Sequence, residues 1–389
     1  MRPRLIRGRI VSGGTVRKGE LLIDGGRIHF PCGSLPEGTG ITDYGEFLIL
    51  PSFIELHAHG GDGYDFVDMT REASDRIFAL HLSHGVGRLC PTLCSCGAEK
   101  TAKFLDFCRE ISGHPCYGGA HLEGPFLSPE MCGAQNGSCL LTPTGEWAER
   151  LSSYRDILVR VTMAPELDGT KEFAKKLTGA GILLSAGHTA ADSMTLRRAV
   201  DYGFTSVTHL YCSTKKREKH GGRVLGGAEE EALINDNLTV ELIGDGHHVS
   251  RENFLVTMRC KGTGRVAVVS DAMRGAGEDG ISESWLGEKL PENRVIIEDG
   301  VAKLPDRSSF AGSLAVGDTM VRTLVKGYGI SLPVVSEMMS LTPAKLLGIS
   351  GSRGKLEEGY IADITVLDES LRTRSVYLSG RLMYVVNVL

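Results

Sequence analysis

The sequence predicts an α/β protein: a (β/α)8, TIM-like barrel with a small β-sandwich formed by the N- and C-terminal segments. Three observations lead there. Eight apolar, strand-like runs alternate with helical stretches through the middle of the chain, the pattern of parallel β/α units. Almost every run ends in a residue able to bind a metal or move a proton, and in a barrel all those ends meet on one face. A doubly wound open sheet would leave that coincidence unexplained. Both ends of the chain read instead as short strands and turns, and 389 residues suit one large barrel with an added unit.

Residues 1–50 open with RLIRGRIVSG, GELLIDGGRIHF and GEFLILP, with Gly25-Gly26 after Asp24 as a hairpin signal. Residues 51–351 hold the barrel. Its strands are SFIELHAH, VGRLCPTL, YGGAHLEGP, VRVTMAPE, GILLSAGH, SVTHLY, LTVELIGDGHH and RVAVVSDA. Stretches such as TREASDRIFALHLSHG and GTKEFAKKLTGAG supply helices between them. Residues 352–389 return to strand character in ADITVLDES and RTRSVYLSGRLMYVV, and are expected to pair with the first fifty.

A formal net charge of -5 gives no general reason to expect nucleic acid or an anionic membrane as partner. No apolar run is long enough to span a bilayer. The start, MRPRLIRGRIVSGG, lacks the apolar core of a secretory signal, so a cytoplasmic location is expected. The ten cysteines lack paired C-x-x-C spacing, and the tightest group is Cys90, Cys94 and Cys96. They read as reduced thiols, mostly small buried hydrophobes, rather than disulfides or a structural zinc site.

The first barrel strand ends in His57 and His59. Residues i and i+2 of a strand share a face, so both imidazoles converge at its C-terminal end. The third strand ends in Glu123, the fifth in His188, the sixth in His209, the seventh in His247 and His248, the eighth in Asp271. Singly, each has a bland explanation, such as an N-cap for Asp271 or a turn for His188. Together they indicate a metal centre of one or two divalent ions. Nitrogen with carboxylate oxygen suits zinc, iron, manganese or cobalt. Four histidines and two carboxylates exceed the needs of one tetrahedral ion, and Glu123 could bridge two. His121 also points inward but lies deeper, which suits support or packing better than ligation.

The motifs HLEGPF, SAGHT, THLY, GDGHHV and VSDAM, in this order and spacing, resemble the N-acetylglucosamine-6-phosphate deacetylases of the metal-dependent amidohydrolase superfamily. FAGSLAVGDTM and GKLEEGYIADITVLD fit as well, so the resemblance covers nearly the whole chain. It implies that Glu123, His188 and His209 hold the principal metal. Members with the histidine pair after strand one hold a second ion through His57, His59 and Glu123, with Asp271 touching it and acting as catalytic acid/base. His248 resembles the histidine that contacts the sugar. The matched stretches place further substrate contacts at Ala134, Gln135, Cys212, Ser213, Phe310, Ala311 and Gly312.

Two departures stand out. Where the family often has a histidine hydrogen-bonding near the substrate carbonyl, EMCGAQNG supplies Gln135, which donates a hydrogen bond but carries no charge. Where the family has an arginine that reaches the neighbouring subunit's sugar phosphate, the chain reads HLYCSTKKREKHGGRVLGG. Arg217 and Arg223 are the preferred phosphate ligands there, because a guanidinium grips phosphate with two parallel hydrogen bonds. A homodimer or higher homo-oligomer is expected on the same resemblance.

The expected reaction is hydrolysis of an N-acetylated amino sugar, N-acetylglucosamine 6-phosphate first, to glucosamine 6-phosphate and acetate. Another N-acetyl hexosamine, phosphorylated or not, is the alternative. Cyclic-amide hydrolases on this barrel usually bridge their metals with a modified lysine at the end of strand four, but VTMAPE has none. A catalytically dead scaffold would have lost ligands, and all six remain.

Overall fold

The computed structural model describes residues 2–386; Met1 and residues 387–389 of the expected terminal unit lie outside the described residues. All eight expected barrel strands form: β1 (Phe53–Ala58), β2 (Val86–Leu93), β3 (Ala120–Glu123), β4 (Leu158–Met163), β5 (Leu183–Ala186), β6 (Phe204–Val207), β7 (Thr239–Ile243) and β8 (Val266–Val269). They pair in sequence order, each parallel to the next. The ring closes at the end of β1 and just past β8, where Ala58 and Ala272 form a parallel bridge. There Asp271 N–H donates to His57 O at 2.9 Å and His59 N–H to Ala272 O at 2.8 Å. Closure is thus made by the backbone of the residues that carry the site.

Residues of β1 and β8 are buried throughout, as expected of strands covered on both faces. Helices cover the outside. In Ala98–Ile111 the buried Phe104, Cys108 and Ile111 follow helical spacing, so this cysteine serves as a small apolar side chain. The helix Arg71–Ser83 starts where the Thr70 hydroxyl accepts from Ala73 N–H. Among the described residues all ten cysteines are free and no helix is long and apolar enough to cross a membrane.

The two chain ends meet in one seven-stranded sheet. Arg4–Ser12 pairs with Thr15–Asp24 and with Gly40–Pro51, which in turn pairs with Ile364–Leu367. Ile6 and Ile10 from the first strand share a small core with Ile364 and Val366, so the sheet curls over itself. Two insertions sit at the barrel mouth. The hairpin Glu218–His220 with Arg223–Leu225 is exposed along its whole length. A three-stranded sheet, Glu283–Trp285, Arg294–Glu298 and Val301–Lys303, follows β8.

Candidate metal centre and active site

The ends of β1, β3, β5, β6 and β8 bring all six candidate ligands together. Glu123 is the hub, 3% exposed at the end of β3. Its Oε1 lies 2.8 Å from His209 Nε2, 3.1 Å from His188 Nε2 and 3.4 Å from His57 Nε2. Its Oε2 lies 3.3 Å from His59 Nε2. Two donor sets result, His57 with His59 and Glu123, and Glu123 with His188 and His209, each within 4.8 Å. Asp271 Oδ1 completes the first, 3.2 Å from His59 Nε2 and 3.4 Å from His57 Nε2.

The hydrogen count tests whether these residues fit a metal. His188 Nδ1 lies 3.0 Å from Met131 O, a partner that only accepts, so the neutral ring's hydrogen is there and Nε2 presents a lone pair. That lone pair faces His209 Nε2 at 3.1 Å, and His57 Nε2 faces His59 Nε2 at 3.2 Å. Four ring nitrogens and the oxygens of two carboxylates, each able to offer a lone pair, converge on one volume. A divalent cation matches such a donor set. The site fits.

The charges agree. Burial disfavours a protonated His57, but the Glu123 and Asp271 carboxylates outweigh it and raise the ring to about 9. Burial would lift the Glu123 carboxyl, yet the surrounding imidazoles hold it well below the usual carboxylate range, and Asp271 is lowered for the same reason. Backbone strain gathers here too. His188, His209 and Asp271 have φ of +47°, +29° and +50°, the left-handed region that non-glycine residues seldom adopt, and Tyr211 and Ser213 follow at +80° and +50°.

Beneath the ligands lies a buried polar layer. His121 bonds Thr162 Oγ1 at 2.8 Å and Thr92 Oγ1 at 3.2 Å, so both ring nitrogens are used and it supports rather than ligates. His57 Nδ1 faces Glu241 Oε2 at 3.7 Å, and Glu241 pairs with Arg160 in the barrel interior. Glu55 accepts the backbone N–H of His57 and of Ser270, both at 3.0 Å, and burial pushes its carboxyl up to about 7. Cys94 Sγ sits 3.2 Å from His59 Nδ1.

Above the ligands opens a cavity of about 450 Å3. His59, Glu123, His188, His209 and Asp271 form its floor, and His57 is sealed below at 0% exposure. Ala134, Gln135, Cys212, Ser213 and His248 form the walls, with Phe310 and Gly312 at the rim. His248 Nδ1 lies 2.7 Å from Asp245 Oδ2, and its ring meets Phe310 edge to face at 4.9 Å. Gln135 Nε2 donates to Glu123 Oε2 at 2.5 Å while its Oε1 accepts from Ser95 N–H, so one amide hydrogen remains to meet a substrate.

Three expected contacts fall elsewhere. Ala311 is 1% exposed and packs with Met273 and Leu286 instead of lining the cavity. Arg217 and Arg223 are not on its walls, because the chain after Lys216 turns outward into the exposed hairpin. Lys216 and Arg307 occupy the rim in their place. Arg160 and Glu241 also escaped sequence reasoning, although a charge in the middle of VRVTM and TVELI is itself a signal. Asp245 was readable three residues before His248 in GDGHH. Nothing around DRSSF marks Arg307 in advance.

A parallel (β/α)8 barrel with histidines and carboxylates gathered at its strand ends defines a metal-dependent hydrolase of the amidohydrolase class. The chain belongs to the N-acetylglucosamine-6-phosphate deacetylase branch of the amidohydrolase family, whose profile matches residues 48–383. It is 32% identical over 393 residues to the N-acetylglucosamine-6-phosphate deacetylase of Bos taurus, covering 97% of this chain and 94% of that protein. It is 27% identical over 353 residues to the N-acetylgalactosamine-6-phosphate deacetylase of Escherichia coli O157:H7, covering 89% and 90%. Among solved structures, a mutant N-acetyl-D-glucosamine-6-phosphate deacetylase from Mycobacterium smegmatis, in complex with N-acetyl-D-glucosamine-6-phosphate, superposes with a TM-score of 0.89 at 28% identity. That match covers 98% of this chain and 99% of that one.

Proposed function

We propose that the protein hydrolyses the acetamide of N-acetylglucosamine 6-phosphate, giving acetate and glucosamine 6-phosphate. One observation carries the reading: a cavity of about 450 Å3 has a carboxylate shared between two histidine sets at its floor and two cations, Lys216 and Arg307, at its rim. The floor suits an amide and the rim suits a phosphate.

Divalent ions held by Glu123, His188 and His209, and by His57, His59 and Glu123, would polarise the acetamide carbonyl and make water acidic enough to attack near neutral pH. Zinc, iron, manganese and cobalt are all compatible with these donors. Asp271 accepts the proton of the attacking water and returns it to the amine nitrogen as the carbon–nitrogen bond breaks. Gln135 offers its remaining amide hydrogen to the carbonyl region. Asp245 holds His248 through Nδ1, which turns Nε2 to the sugar hydroxyls, and the Phe310 ring covers an apolar face of the sugar. Lys216 and Arg307 take the phosphate through charge-assisted hydrogen bonds.

Ten free cysteines accord with a cytoplasmic location. The exposed basic hairpin carrying Arg223 accords with a homodimer in which one copy serves the other's phosphate. The similarity to an N-acetylgalactosamine-6-phosphate deacetylase makes the 4-epimer the second substrate to test. Acetate release should be measured on phosphorylated and unphosphorylated N-acetyl hexosamines. A clear preference in kcat/KM for N-acetylglucosamine 6-phosphate supports the proposal, and equal use of the unphosphorylated sugar removes it.

A further inference from the structure

At the end of the barrel opposite the metal centre, the starts of β2, β3 and β4 face the terminal sheet across a cleft of about 1140 Å3. Four arginines line it: Arg27 and Arg381, each the first residue of a strand of the sheet, Arg88 from β2, and Arg353 from the segment leading back to the sheet. Two carboxylates line it as well, and both are already used. Asp156 takes the Arg109 guanidinium through two contacts of 3.1 Å. Asp363 pairs with Arg353 and accepts from Ser379 N–H at 2.8 Å.

Among the described residues Arg27, Arg88 and Arg381 make no ion pair. Arg27 Nη1 donates to Gly359 O at 2.7 Å and Arg88 Nη1 to Tyr117 O at 2.8 Å, both neutral acceptors. Arg88 Nε is buried without a partner. Arg353 has a partner in Asp363, yet burial and then the like charge of Arg88 still bring it down to about 10. The chain carries a net charge of -5, so this local excess of cations is not a by-product of a basic protein. Arg353 has its anion in Asp363, and among the described residues Arg27, Arg88 and Arg381 have none.

The guanidinium fork matches the geometry of phosphate oxygens. The cleft is roomy enough for the organic part of a small ester, by the usual size of ligand sites. Its tyrosine is committed elsewhere, the Tyr117 ring being buried with its hydroxyl on Ile157 O at 3.2 Å, and the half-buried His114 ring stacks on Phe78 at 4.2 Å, so the arginines are what the cleft chiefly offers a ligand. We propose that the cleft between the terminal sheet and the closed end of the barrel is a second ligand site, which binds a small phosphate monoester. It holds this ligand without converting it, since the catalytic groups stand at the other end of the strands. The site is independent of the chemistry at the metal centre.

Inorganic phosphate is the probe, titrated calorimetrically into the full-length, metal-loaded protein. A Lys216→Ala, Arg307→Ala background removes the phosphate contacts proposed for the active site, and one saturable site should remain there. Adding Arg88→Met, or separately Arg381→Glu, should weaken that site by at least roughly tenfold, the usual worth of a charge-assisted hydrogen bond. Arg381 is exposed, so its replacement reads the site even if Arg88→Met misfolds. In otherwise wild-type enzyme, Arg381→Glu should leave kcat/KM for acetate release unchanged. No saturable binding in the background, or equal affinity with and without Arg381→Glu, overturns the proposal.

Discussion

The Nε2 atoms of His188 and His209 stand 3.1 Å apart, each within 3.1 Å of the same Glu123 oxygen. With His188 committed to Met131 O through Nδ1, its facing nitrogen has no hydrogen to give unless the ring is charged. A hydrogen on His209 Nε2 satisfies that approach in the metal-free protein, and a cation shared by the two rings and Glu123 would take its place when metal is bound. Chelation should therefore abolish activity and lower Tm, and metal should restore both. The stabilisation expected at a thousandfold excess over Kd is about 4 kcal/mol. Elemental analysis should find close to two ions per chain, falling towards one in a His57→Asn, His59→Asn variant; an unchanged ratio removes the second site.

Protons and metal compete for these rings, and the sign is fixed. Burial opposes the charge on His57, but Glu123 and Asp271 raise it to about 9, and His59 is raised too. Ligation needs the neutral ring, so metal binding should release protons near neutral pH and weaken as pH falls. The metal-free protein should behave conversely. Its charged His57 stabilises the fold fully below the ordinary value of 6.5, and that contribution is lost as pH rises through about 9. Tm of the chelated protein should fall across this window while that of the metal-loaded protein does not.

Asp271 stands at the barrel's closure, its N–H on His57 O and its carboxylate 3.2 Å from His59 Nε2. Asp271→Asn keeps the shape and removes the proton acceptor. The expected loss in kcat is at least roughly a hundredfold, the usual size of acid/base effects, with KM little changed. Near-normal turnover in a folded, metal-loaded variant would assign the proton transfer elsewhere.

How much of this was legible in the sequence depended on how local the signal was. The eight strands and six converging ligands were readable because each strand end announces itself by residue type and period. The position of Arg223 was not, since a basic loop reads the same whether it folds over the cavity or turns away as a hairpin. Arg307 reaches the rim from an insertion after β8, placed there by long-range packing that no spacing reveals. Ala311 sits beside two rim residues yet faces the core, a matter of side-chain direction in an irregular segment.

Arg160 and Glu241 form a buried pair directly under His57, 3% and 0% exposed. Breaking one side of such a pair leaves an uncompensated charge in the barrel. Glu241→Gln should cost roughly 3–5 kcal/mol of stability, and an Arg160→Met, Glu241→Leu double variant should recover much of it. Equal stability of the single variant and wild type in denaturant melts would show that water or relaxation already screens the pair.

The rim of the cavity separates two accounts of phosphate binding. Within one chain Lys216 and Arg307 line the cavity, while Arg217 and Arg223 do not. Arg307 is already paired with Glu298 at an exposed position, so its guanidinium must be shared with or released to a phosphate. Lys216→Ala and Arg307→Ala should each raise KM for the 6-phosphate about tenfold, the worth of one charge-assisted hydrogen bond. Hydrolysis of the unphosphorylated sugar should barely change. If Arg223 serves a neighbouring copy, Arg223→Ala should raise KM as well, and wild-type KM should climb as the enzyme is diluted below its dimer dissociation constant. A KM sensitive to Arg223 alone, with Lys216→Ala and Arg307→Ala silent, would move the phosphate off this chain's own rim and onto the partner's hairpin.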